Sequence, residues 1–563
     1  MKFGAILNAY PDSLGGKLSE TVRFLLRPEL KDAFRAFYIL PTVFHTDLDR
    51  GFSVISYALN HELADESDLQ SLRAMGLDLV CDLILNHLSV QSPQFQDLLR
   101  HGEDSEYKDF FIDWNAFWAG CGEMTDQGYI QPTEQFFLSA NLRKKGLPLL
   151  MVRFPDGHEV PYWNTFYQKI CYHPLSARQL QNGLGMKSEE AAELADMIRV
   201  QLDAGRTPAT MDWGAYVSRA SACRALLEQG RTYLGQMDVN QRSPKVWAWY
   251  DAVMRQLAGY GMCMIRLDAF TRLHKAPGRA NFMNEPETWQ ILQRLKHQAA
   301  ALGLDVLPEV HGTYASGGFR KISEQGCLTY DYFLPGLLLD ALDCGDEGYL
   351  VSWAREQLTE RIQTVNMLGC HDGIPIRDLR GLLPDARMEQ ICRRLETRGC
   401  RRKMIHGEHP EVYQMDGTYY TALGCDDRKM CMARALQIFM PGRPQVWYGD
   451  LLAAENDLSV FEQDPAVDAR EMNRQCFTYD EAVSRLTRPV VREQLGLLTL
   501  RNTHPAFSES AGIDVCAPGP GRIEIQWQSG KDWAQLSADL HAMQYRIRTS
   551  ETRDPDDGIM IKT

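Results

Sequence analysis

The sequence has no long apolar run. The longest one near the start, Phe3 to Leu7, is followed at once by Asn8 and is too short for the core of a secretion signal. No uninterrupted apolar segment reaches the roughly 18 residues that a membrane-spanning helix needs. We therefore expect a protein that has no membrane partner and is located in the cytoplasm.

Patterns typical of metal or redox sites are also missing. Fourteen cysteines are scattered between Cys81 and Cys516, without a C-x-x-C pair and without a His/Cys cluster at ligand spacing. A D-x-[DN]-x-[DN]-G calcium loop is absent too. We interpret the cysteines as small buried hydrophobic residues kept reduced in a cytosol, and we predict neither a metal nor an organic cofactor.

Positive charge is less abundant than negative charge. The chain has 60 Lys and Arg residues against 74 Asp and Glu residues, which gives a formal net charge of -14. No coherent basic stripe is present, and this disfavours a nucleic-acid partner. We expect a small-molecule substrate. The length of 563 residues, 44% of them hydrophobic, fits one large catalytic domain with a small accessory domain.

Short β-rich apolar runs recur along the chain, and each is followed by a longer stretch typical of a helix. This alternation predicts parallel strands joined by crossover helices, and eight runs favour an α/β fold of the (β/α)₈ or TIM-barrel type. The predicted strands are residues 3–8, 37–44, 79–86, 262–268, 305–310, 328–333, 364–369 and 445–448.

Two regions interrupt this alternation. Too many residues separate the third and fourth strands for a crossover, so an inserted lobe is expected there. Within it, Ser188 is predicted to cap a helix that continues to Asp203 and ends at Gly205. Alternation in residues 522–527 predicts a small C-terminal β-domain. The expected domains are the barrel in residues 1–95 and 246–502, the lobe in 96–245 with a helical insertion near 170–235, and the β-domain in 503–563.

Several predicted strands end in ionisable residues, on the face where barrel enzymes place their chemistry. Arg266 lies two positions before Asp268, so both side chains point to the same side of one strand, where the guanidinium would keep Asp268 ionised as a nucleophile. Glu309 ends an apolar run, where burial would raise its pKa and keep it protonated as a general acid. His371 and Asp372 close another strand.

Two such carboxyl groups, about 5–5.5 Å apart, are what retaining glycoside chemistry requires. Four segments support this interpretation because they resemble, in order, the conserved segments of the α-amylase superfamily, glycoside hydrolase family 13. They are Asp82-Leu-Ile-Leu-Asn86-His87, Arg266-Leu-Asp268-Ala, Glu309-Val-His311 and His371-Asp372. The resemblance implies that Asp268 is the nucleophile, Glu309 the acid/base and Asp372 the transition-state stabiliser.

Further segments are similar to the sucrose phosphorylase branch of that superfamily, over about residues 2–507. Among them are Asp49-Arg-Gly-Phe52, Tyr162-Trp-Asn-Thr-Phe166, Gly235-Gln236-Met-Asp238 and Glu471-Met-Asn473-Arg474. The resemblance implies a covalent glucosyl-enzyme that inorganic phosphate opens to α-glucose 1-phosphate. It implies the following contacts with the bound glucose: Asp49, Phe52, His87, Phe166, Gln236, Arg266, His371 and Arg474. On the acceptor side it implies His311 and Arg143.

Some interpretations stay open at this level. By themselves Asp82, Asn86 and His87 could satisfy strand-end backbone groups, and His311 could be a hydrogen-bonded barrel histidine. The run Arg143-Lys144-Lys145 could be a solvated turn.

The natural donor is also open, because about 65 residues separate the Phe166 segment from Gly235 where relatives have only a few. Sucrose, a phosphorylated sucrose, glucosylglycerate and glucosylglycerol are all considered. A hydrolase or transglucosidase with the same carboxylates, or a catalytically silent scaffold protein, remains an alternative. A monomer or a homodimer is expected.

Overall fold

The computed structural model describes residues 3–139, 146–405, 411–465 and 467–551. Its centre is a sheet of eight parallel strands that curls into a nearly closed barrel. Consecutive strands pair with each other, except for the fifth and sixth, which meet at the seam of the barrel. The first strand pairs with the eighth. In chain order the barrel strands are Ile6–Ala9, Ala36–Ile39, Asp78–Ile84, Met262–Asp268, Asp305–Pro308, Thr329–Asp331, Thr364–Met367 and Arg443–Trp447. The predicted (β/α)₈ fold is confirmed.

The barrel strands are buried almost throughout, because one face points into the barrel and the other is covered by helices. This explains why they read as apolar runs rather than as alternating strands. Helices follow the strands as the crossover pattern predicted: Leu18–Leu25, Glu66–Ala74, Pro93–His101, Pro244–Gly259, Glu287–Ala300, Gly318–Glu324, Leu334–Cys344, Gly348–Glu360, Asp385–Thr397, Asp427–Phe439 and Pro489–Thr503. Short helices at Tyr419–Ala422, Tyr448–Leu451, Val460–Gln463 and Tyr479–Arg485 lie in the later loops.

The lobe between the third and fourth barrel strands is built from small antiparallel sheets. A cluster of tryptophans fills its interior, with Trp114 and Trp163 ring centroids 4.9 Å apart. Its strands are His87–Ser89, Gly122–Met124, Ile130–Pro132, Leu149–Arg153, Glu159–Trp163, Gln168–Cys171 and Thr232–Asp238, and its short helices are Trp114–Trp118 and Glu134–Ser139.

A helical insertion extends this lobe. The helices Ala177–Leu184, Ser188–Asp203 and Ala220–Gln229 pack around a hydrophobic cluster of their own, separate from that of the barrel. The prediction that Ser188 caps the second helix is wrong by one position, because Lys187 is the N-cap and no side chain caps the first turn. The domain boundaries stay a prediction.

The C-terminal strands form one antiparallel sheet in chain order. Burial alternates along Arg522–Ser529 as the sequence pattern predicted, because one face packs against the barrel domain. The buried Trp527 indole donates a hydrogen bond to the carbonyl of Phe439 at 2.7 Å and so fixes the sheet to a barrel helix. The strands are Gly512–Gly519, Arg522–Ser529, Asp532–Asp539 and Gln544–Thr549.

Further β-structure borders the open end of the barrel. Phe44–Leu48 pairs with Ser53–Leu59, and Ile374–Pro375 joins Glu411–Asp416 and Arg401–Ile405 in a second small sheet. Across the described residues, the search for a helix with the length and apolar character to cross a membrane finds none.

One buried lysine connects the lobe to the barrel. The Lys275 ammonium donates to the Asn86 side-chain oxygen at 2.8 Å and to the Arg272 carbonyl at 2.7 Å, and it pairs with Asp238 at 2.8 Å. Asp238 also accepts hydrogen bonds from the backbone and hydroxyl of Thr165, each at 2.7 Å. The ammonium therefore joins a barrel strand end to two segments of the lobe.

Replacing this lysine should destabilise the fold strongly. In Lys275→Met the buried Asp238 loses its cation, and breaking a buried pair in this way costs about 3–5 kcal/mol. We expect a loss of that size in the free energy of unfolding, measured by denaturant titration. The double variant Lys275→Met/Asp238→Asn should recover part of it, because no buried charge is left uncompensated. Equal stability of Lys275→Met and the parent would contradict this account of the connection.

Candidate active site

Three carboxylates meet one buried guanidinium inside the barrel. Arg266 Nη1 donates to Asp82 at 2.6 Å and to Asp268 at 2.9 Å, while its Nη2 lies 2.8 Å from Glu309 Oε1. Asp268 ends one strand and Glu309 directly follows the neighbouring one, so both carboxylates reach the same guanidinium. The predicted contact between Arg266 and Asp268 is present, and Glu309 joins it from the next strand.

The backbone after Asp268 is strained in a way that serves this arrangement. Ala269 has a φ of 50°, in the left-handed region that non-glycine residues rarely occupy. Its N–H donates to Glu309 Oε2 at 2.9 Å. Residues held in such conformations cluster at functional sites, where the surrounding structure supports the strain.

The two facing carboxyl groups differ in acidity in the unliganded protein. Burial and the nearby charge of Glu309 raise the pKa of Asp268 well above its ordinary value, although Arg266 opposes this. Burial would also raise the pKa of Glu309, but Arg266, His311 and the Ala269 N–H outweigh it and leave that pKa below its ordinary value. From the sequence we predicted an ionised Asp268 and a protonated Glu309. The acidities are reversed in the unliganded protein, because Arg266 contacts both groups and Glu309 also has His311 and the Ala269 N–H beside it.

Asp372 lies close to this centre. One side-chain atom of each of Glu309, His311 and Asp372, a carboxylate oxygen or an imidazole nitrogen, lies within 4.8 Å of the other two. Arg470 Nη1 donates to Asp372 at 2.9 Å, and Arg470 Nη2 donates to Asp49 at 2.6 Å. Burial opposes ionisation of Asp372, but nearby positive charge, including the guanidinium groups of Arg470 and Arg474, outweighs it and holds the pKa well below its usual range.

Asp49 and Phe52 come from a tight turn between two short strands. Asp49 and Arg50 have φ values of 50° and 49°, and Gly51 follows with 104°. A Cβ on Gly51 would lie 2.7 Å from the Thr42 backbone nitrogen, so only glycine fits there. The turn directs the Asp49 carboxylate towards Arg470 and the Phe52 ring into the barrel mouth.

Aromatic and amide side chains surround the Phe52 ring. His371 stacks on it with centroids 4.7 Å apart and an interplanar angle of 14°. The Phe52 carbonyl accepts hydrogen bonds from His87 Nε2 at 2.8 Å and from Gln236 Nε2 at 3.0 Å. The rings of His87 and Phe166 are 5.0 Å apart. Burial lowers the pKa of His371 to about 3, so its imidazole is neutral at pH 7.

Arg474 also contacts this group of residues. Its Nε donates to the His371 carbonyl at 2.8 Å, and its Nη1 donates to Glu471 at 2.9 Å. The structure thus brings together the residues that the sequence analysis assigned to the glucose site: Asp49, Phe52, His87, Phe166, Gln236, Arg266, His371 and Arg474. Their roles in binding remain predictions.

His311 lies on the other side of Glu309. Its Nε2 is 3.7 Å from Glu309 Oε1, and its Nδ1 is 3.4 Å from the buried carboxylate of Asp378. The ring stacks on Tyr332 with centroids 3.9 Å apart. Burial opposes protonation of His311, but the charges of Asp378 and Glu309 outweigh it and raise its pKa. The predicted acceptor residue Arg143 lies outside the described residues, as do Lys144 and Lys145.

The sequence analysis missed Arg470. It lies four positions before Arg474 in the turn Ala469–Asn473, and that spacing places both guanidinium groups near the same carboxylate. The signal was therefore available directly beside a segment already singled out, Glu471-Met-Asn473-Arg474. Asp378 and Tyr332 were missed too, although Tyr332 lies within the predicted strand of residues 328–333.

Loss of Arg470 should affect turnover and its pH dependence together. In Arg470→Gln, Asp49 and Asp372 lose their shared donor, and the pKa of Asp372 rises because a compensating charge is removed. We expect about a 100-fold fall in kcat/KM, with the acidic limb of the pH profile shifted to higher pH. Arg470→Lys should recover part of the rate.

The control for that experiment is Arg199→Gln, which removes an exposed guanidinium paired with Asp196 on a lobe helix. It should leave both the rate and the pH profile unchanged. A fall in the rate of Arg470→Gln with an unshifted acidic limb would mean that Arg470 does not act on the ionisation of Asp372.

A parallel barrel with this constellation of strand-end carboxylates defines a glycoside-processing barrel enzyme. A scan against protein-family models finds no match. The chain is 42% identical over 551 residues to a sucrose 6(F)-phosphate phosphorylase of Ilumatobacter coccineus, covering 96% of this chain and 95% of that one. It is 29% identical to a sucrose phosphorylase of Streptococcus mutans, covering 97% of each chain.

A solved structure agrees with these relatives. The crystal structure of a sucrose 6F-phosphate phosphorylase from Thermoanaerobacter thermosaccharolyticum superposes with a TM-score of 0.79 at 28% identity, covering 99% of this chain and 97% of that one. The chain belongs to the sucrose phosphorylase family of glycoside phosphorylases, within the α-amylase superfamily.

Proposed function

We propose that the protein is a retaining α-glucoside phosphorylase that transfers a glucosyl group from a sucrose-type donor to inorganic phosphate. The observation that carries this proposal is the Arg266 guanidinium, which lies 2.9 Å from Asp268 and 2.8 Å from Glu309. One cation between two carboxylates on neighbouring strands matches the close spacing that a retaining displacement needs.

The reaction has two displacements at the anomeric carbon. A carboxylate oxygen of Asp268 forms a bond to that carbon while the bond to the leaving oxygen breaks, and Glu309 gives its proton to the leaving oxygen. A phosphate oxygen then attacks the same carbon, the bond to Asp268 breaks, and Glu309 takes the proton from phosphate. Two inversions give α-glucose 1-phosphate with net retention.

The substrate reverses the acidities of the unliganded pair. A glycosidic oxygen beside Glu309 accepts a hydrogen bond only from the protonated acid, so its arrival favours the proton on Glu309. Positive charge that develops at the anomeric carbon favours ionised Asp268. Because Asp268 and Glu309 are close and share Arg266, they titrate as a pair, and one proton can move between them.

The other residues of the site are proposed to position the glucose and the acceptor. Asp372 and Asp49 would accept hydrogen bonds from sugar hydroxyls, and the Phe52 ring would pack on the apolar side of the sugar. His311, directly beyond Glu309 and with a pKa raised by the charges of Asp378 and Glu309, would hold the attacking phosphate. Arg143 stays a predicted acceptor residue. The cytoplasmic location and the monomeric or homodimeric state also stay predictions.

Sucrose 6F-phosphate is the donor that we propose. The relative from Ilumatobacter coccineus carries that substrate in its name at 42% identity, against 29% for the sucrose phosphorylase from Streptococcus mutans. Sucrose, glucosylglycerol and glucosylglycerate are the competing donors.

The purified protein should be incubated with each of these four donors, with and without phosphate, and glucose 1-phosphate and free glucose should be quantified. We expect phosphate-dependent glucose 1-phosphate, formed fastest from sucrose 6F-phosphate. Free glucose released at the same rate without phosphate would identify a hydrolase instead. No product from any donor would favour a catalytically silent protein.

A further inference from the structure

Two arginines share one carboxylate at the rim of the barrel mouth. Arg377 Nε donates to Glu411 Oε1 at 2.6 Å, and Arg380 Nη1 lies 2.6 Å from Glu411 Oε2. Arg377 begins the 3₁₀ turn Arg377–Leu379, and Arg380 directly follows that turn. At this spacing of three in a 3₁₀ turn the side chains point the same way, which explains their convergence.

This cluster, Arg377, Arg380 and Glu411, carries a net positive charge. Two guanidinium groups against one carboxylate leave one charge uncompensated. A second arginine cluster is balanced, because Arg393 and Arg402 face Glu389 and Glu396. On a protein with a formal net charge of -14, a local excess of guanidinium is what an anionic substrate requires.

The guanidinium groups retain donors for a ligand. Arg377 and Arg380 are partly exposed, with side-chain exposures of 36% and 52%. Each uses one nitrogen on Glu411, and within the part of the chain that the structure describes neither side chain has a second polar partner. Two planar groups with unused N–H donors match the oxygens of a phosphate monoester, which they can bind bidentately.

The turn that carries the arginines lies near Glu309, the proposed acid/base. Asp378, between them, lies 3.4 Å from His311, which in turn lies 3.7 Å from Glu309. The Ile376 N–H donates to the Tyr413 carbonyl at 3.1 Å. The Tyr413 ring lies 5.7 Å from that of His311. A leaving group that accepts its proton from Glu309 and extends outward therefore passes His311 and Tyr413 towards the cluster.

We propose that Arg377 and Arg380 bind the phosphate group of a phosphorylated leaving group and so select sucrose 6F-phosphate over sucrose. The inference rests on the proposed phosphorylase function. Glu411 holds the two guanidinium groups in position, and the phosphate accepts hydrogen bonds from their remaining N–H donors when the sugar donor binds. The arginines do not touch the reacting atoms, so they determine specificity without taking part in the bond changes.

The test is the double variant Arg377→Gln/Arg380→Gln, assayed for KM and kcat with sucrose 6F-phosphate, with sucrose and with varied inorganic phosphate. Charged hydrogen bonds of this kind are each worth about tenfold or more in binding. We expect KM for sucrose 6F-phosphate to rise about 100-fold, with KM for sucrose and for inorganic phosphate within about threefold of the parent. Each single variant should show about a tenfold rise.

A second measurement does not depend on turnover. Fructose 6-phosphate and fructose should be compared as inhibitors of phosphorolysis, since each is the leaving group of one donor. The double variant should lose the preference for fructose 6-phosphate. The control Arg199→Gln/Arg255→Gln makes the same change in net charge at two exposed helix arginines paired with Asp196 and Asp251, and it should behave as the parent.

The outcomes separate the inference from the proposed function. A parent without phosphate-dependent glucose 1-phosphate from any donor would remove the proposed function, and the inference with it. A parent that is active but prefers unphosphorylated sucrose would overturn the inference and the proposed donor, while the proposed phosphorylase reaction would stand. An unchanged KM for sucrose 6F-phosphate in the double variant, or a raised KM for inorganic phosphate with both donors, would also overturn it.

Discussion

Asp268→Asn is expected to lower kcat/KM by about 10⁴-fold or more, the scale seen when an essential nucleophile is removed. The amide of the variant is a poor nucleophile and cannot form the glucosyl ester. The fold should persist, because Asn keeps the shape of Asp268 and Arg266 retains its contacts with Asp82 and Glu309. The measurement is the initial rate of glucose 1-phosphate formation at saturating phosphate.

The matched control is Asp305→Asn, the same chemical change at the opposite end of the adjacent strand. Asp305 is exposed and lies away from the barrel mouth, so the rate should stay within about twofold of the parent. Full turnover by Asp268→Asn would remove the proposed nucleophile, and would reopen the view that the carboxylate cluster has only a structural role.

Glu309→Gln should show a loss that depends on the leaving group. Proton transfer by a positioned acid contributes about 10²–10⁴-fold, so phosphorolysis of the sucrose-type donor should fall by about 10³-fold. α-Glucosyl fluoride needs little help from an acid to lose fluoride, so formation of the covalent intermediate from it should be nearly unaffected. Single-turnover kinetics with both donors measure this difference.

The pH profile adds an independent check on Glu309. The parent should give a bell-shaped profile of kcat/KM, because one group of the Asp268 and Glu309 pair must be ionised and the other protonated. The basic limb reports loss of the acid's proton, and it should disappear in Glu309→Gln with the fluoride donor. Equal losses for both donors would show that Glu309 does not act as the acid. Glu324→Gln, at an exposed helix end, is the control.

The barrel itself could be predicted from the sequence because its strands are buried on both faces. Runs such as Met262–Asp268 are short and largely apolar, and each is followed by a longer helical stretch, so length and alternation along the chain identify the strands. The insertion was recognisable by length alone. The start of its helix at Ser188 was wrong by one position, since the choice between cap and first turn depends on backbone angles that composition does not encode.

The residues of the candidate site also divide into those that the sequence could identify and those that it could not. Residues next to a motif, such as Asp268 and Glu309, could be assigned because strand ends of a barrel converge on one face. Lys275 and Asp378 could not, because their significance comes from contacts across long stretches of chain, such as that between Lys275 and Asn86. The acidities could not be predicted either, since they depend on Arg266 contacting two carboxylates at once.

The most direct test of the central claim is to find the glucosyl group on the protein. Glu309→Gln should be incubated with α-glucosyl fluoride in the absence of phosphate, because the variant forms the intermediate and resolves it slowly. Intact-mass spectrometry should show the protein heavier by one glucosyl residue, peptide mapping should place that residue on Asp268, and added phosphate should release it as α-glucose 1-phosphate. A glucosyl group on any other residue, or turnover of the fluoride with no covalent adduct, would contradict the account.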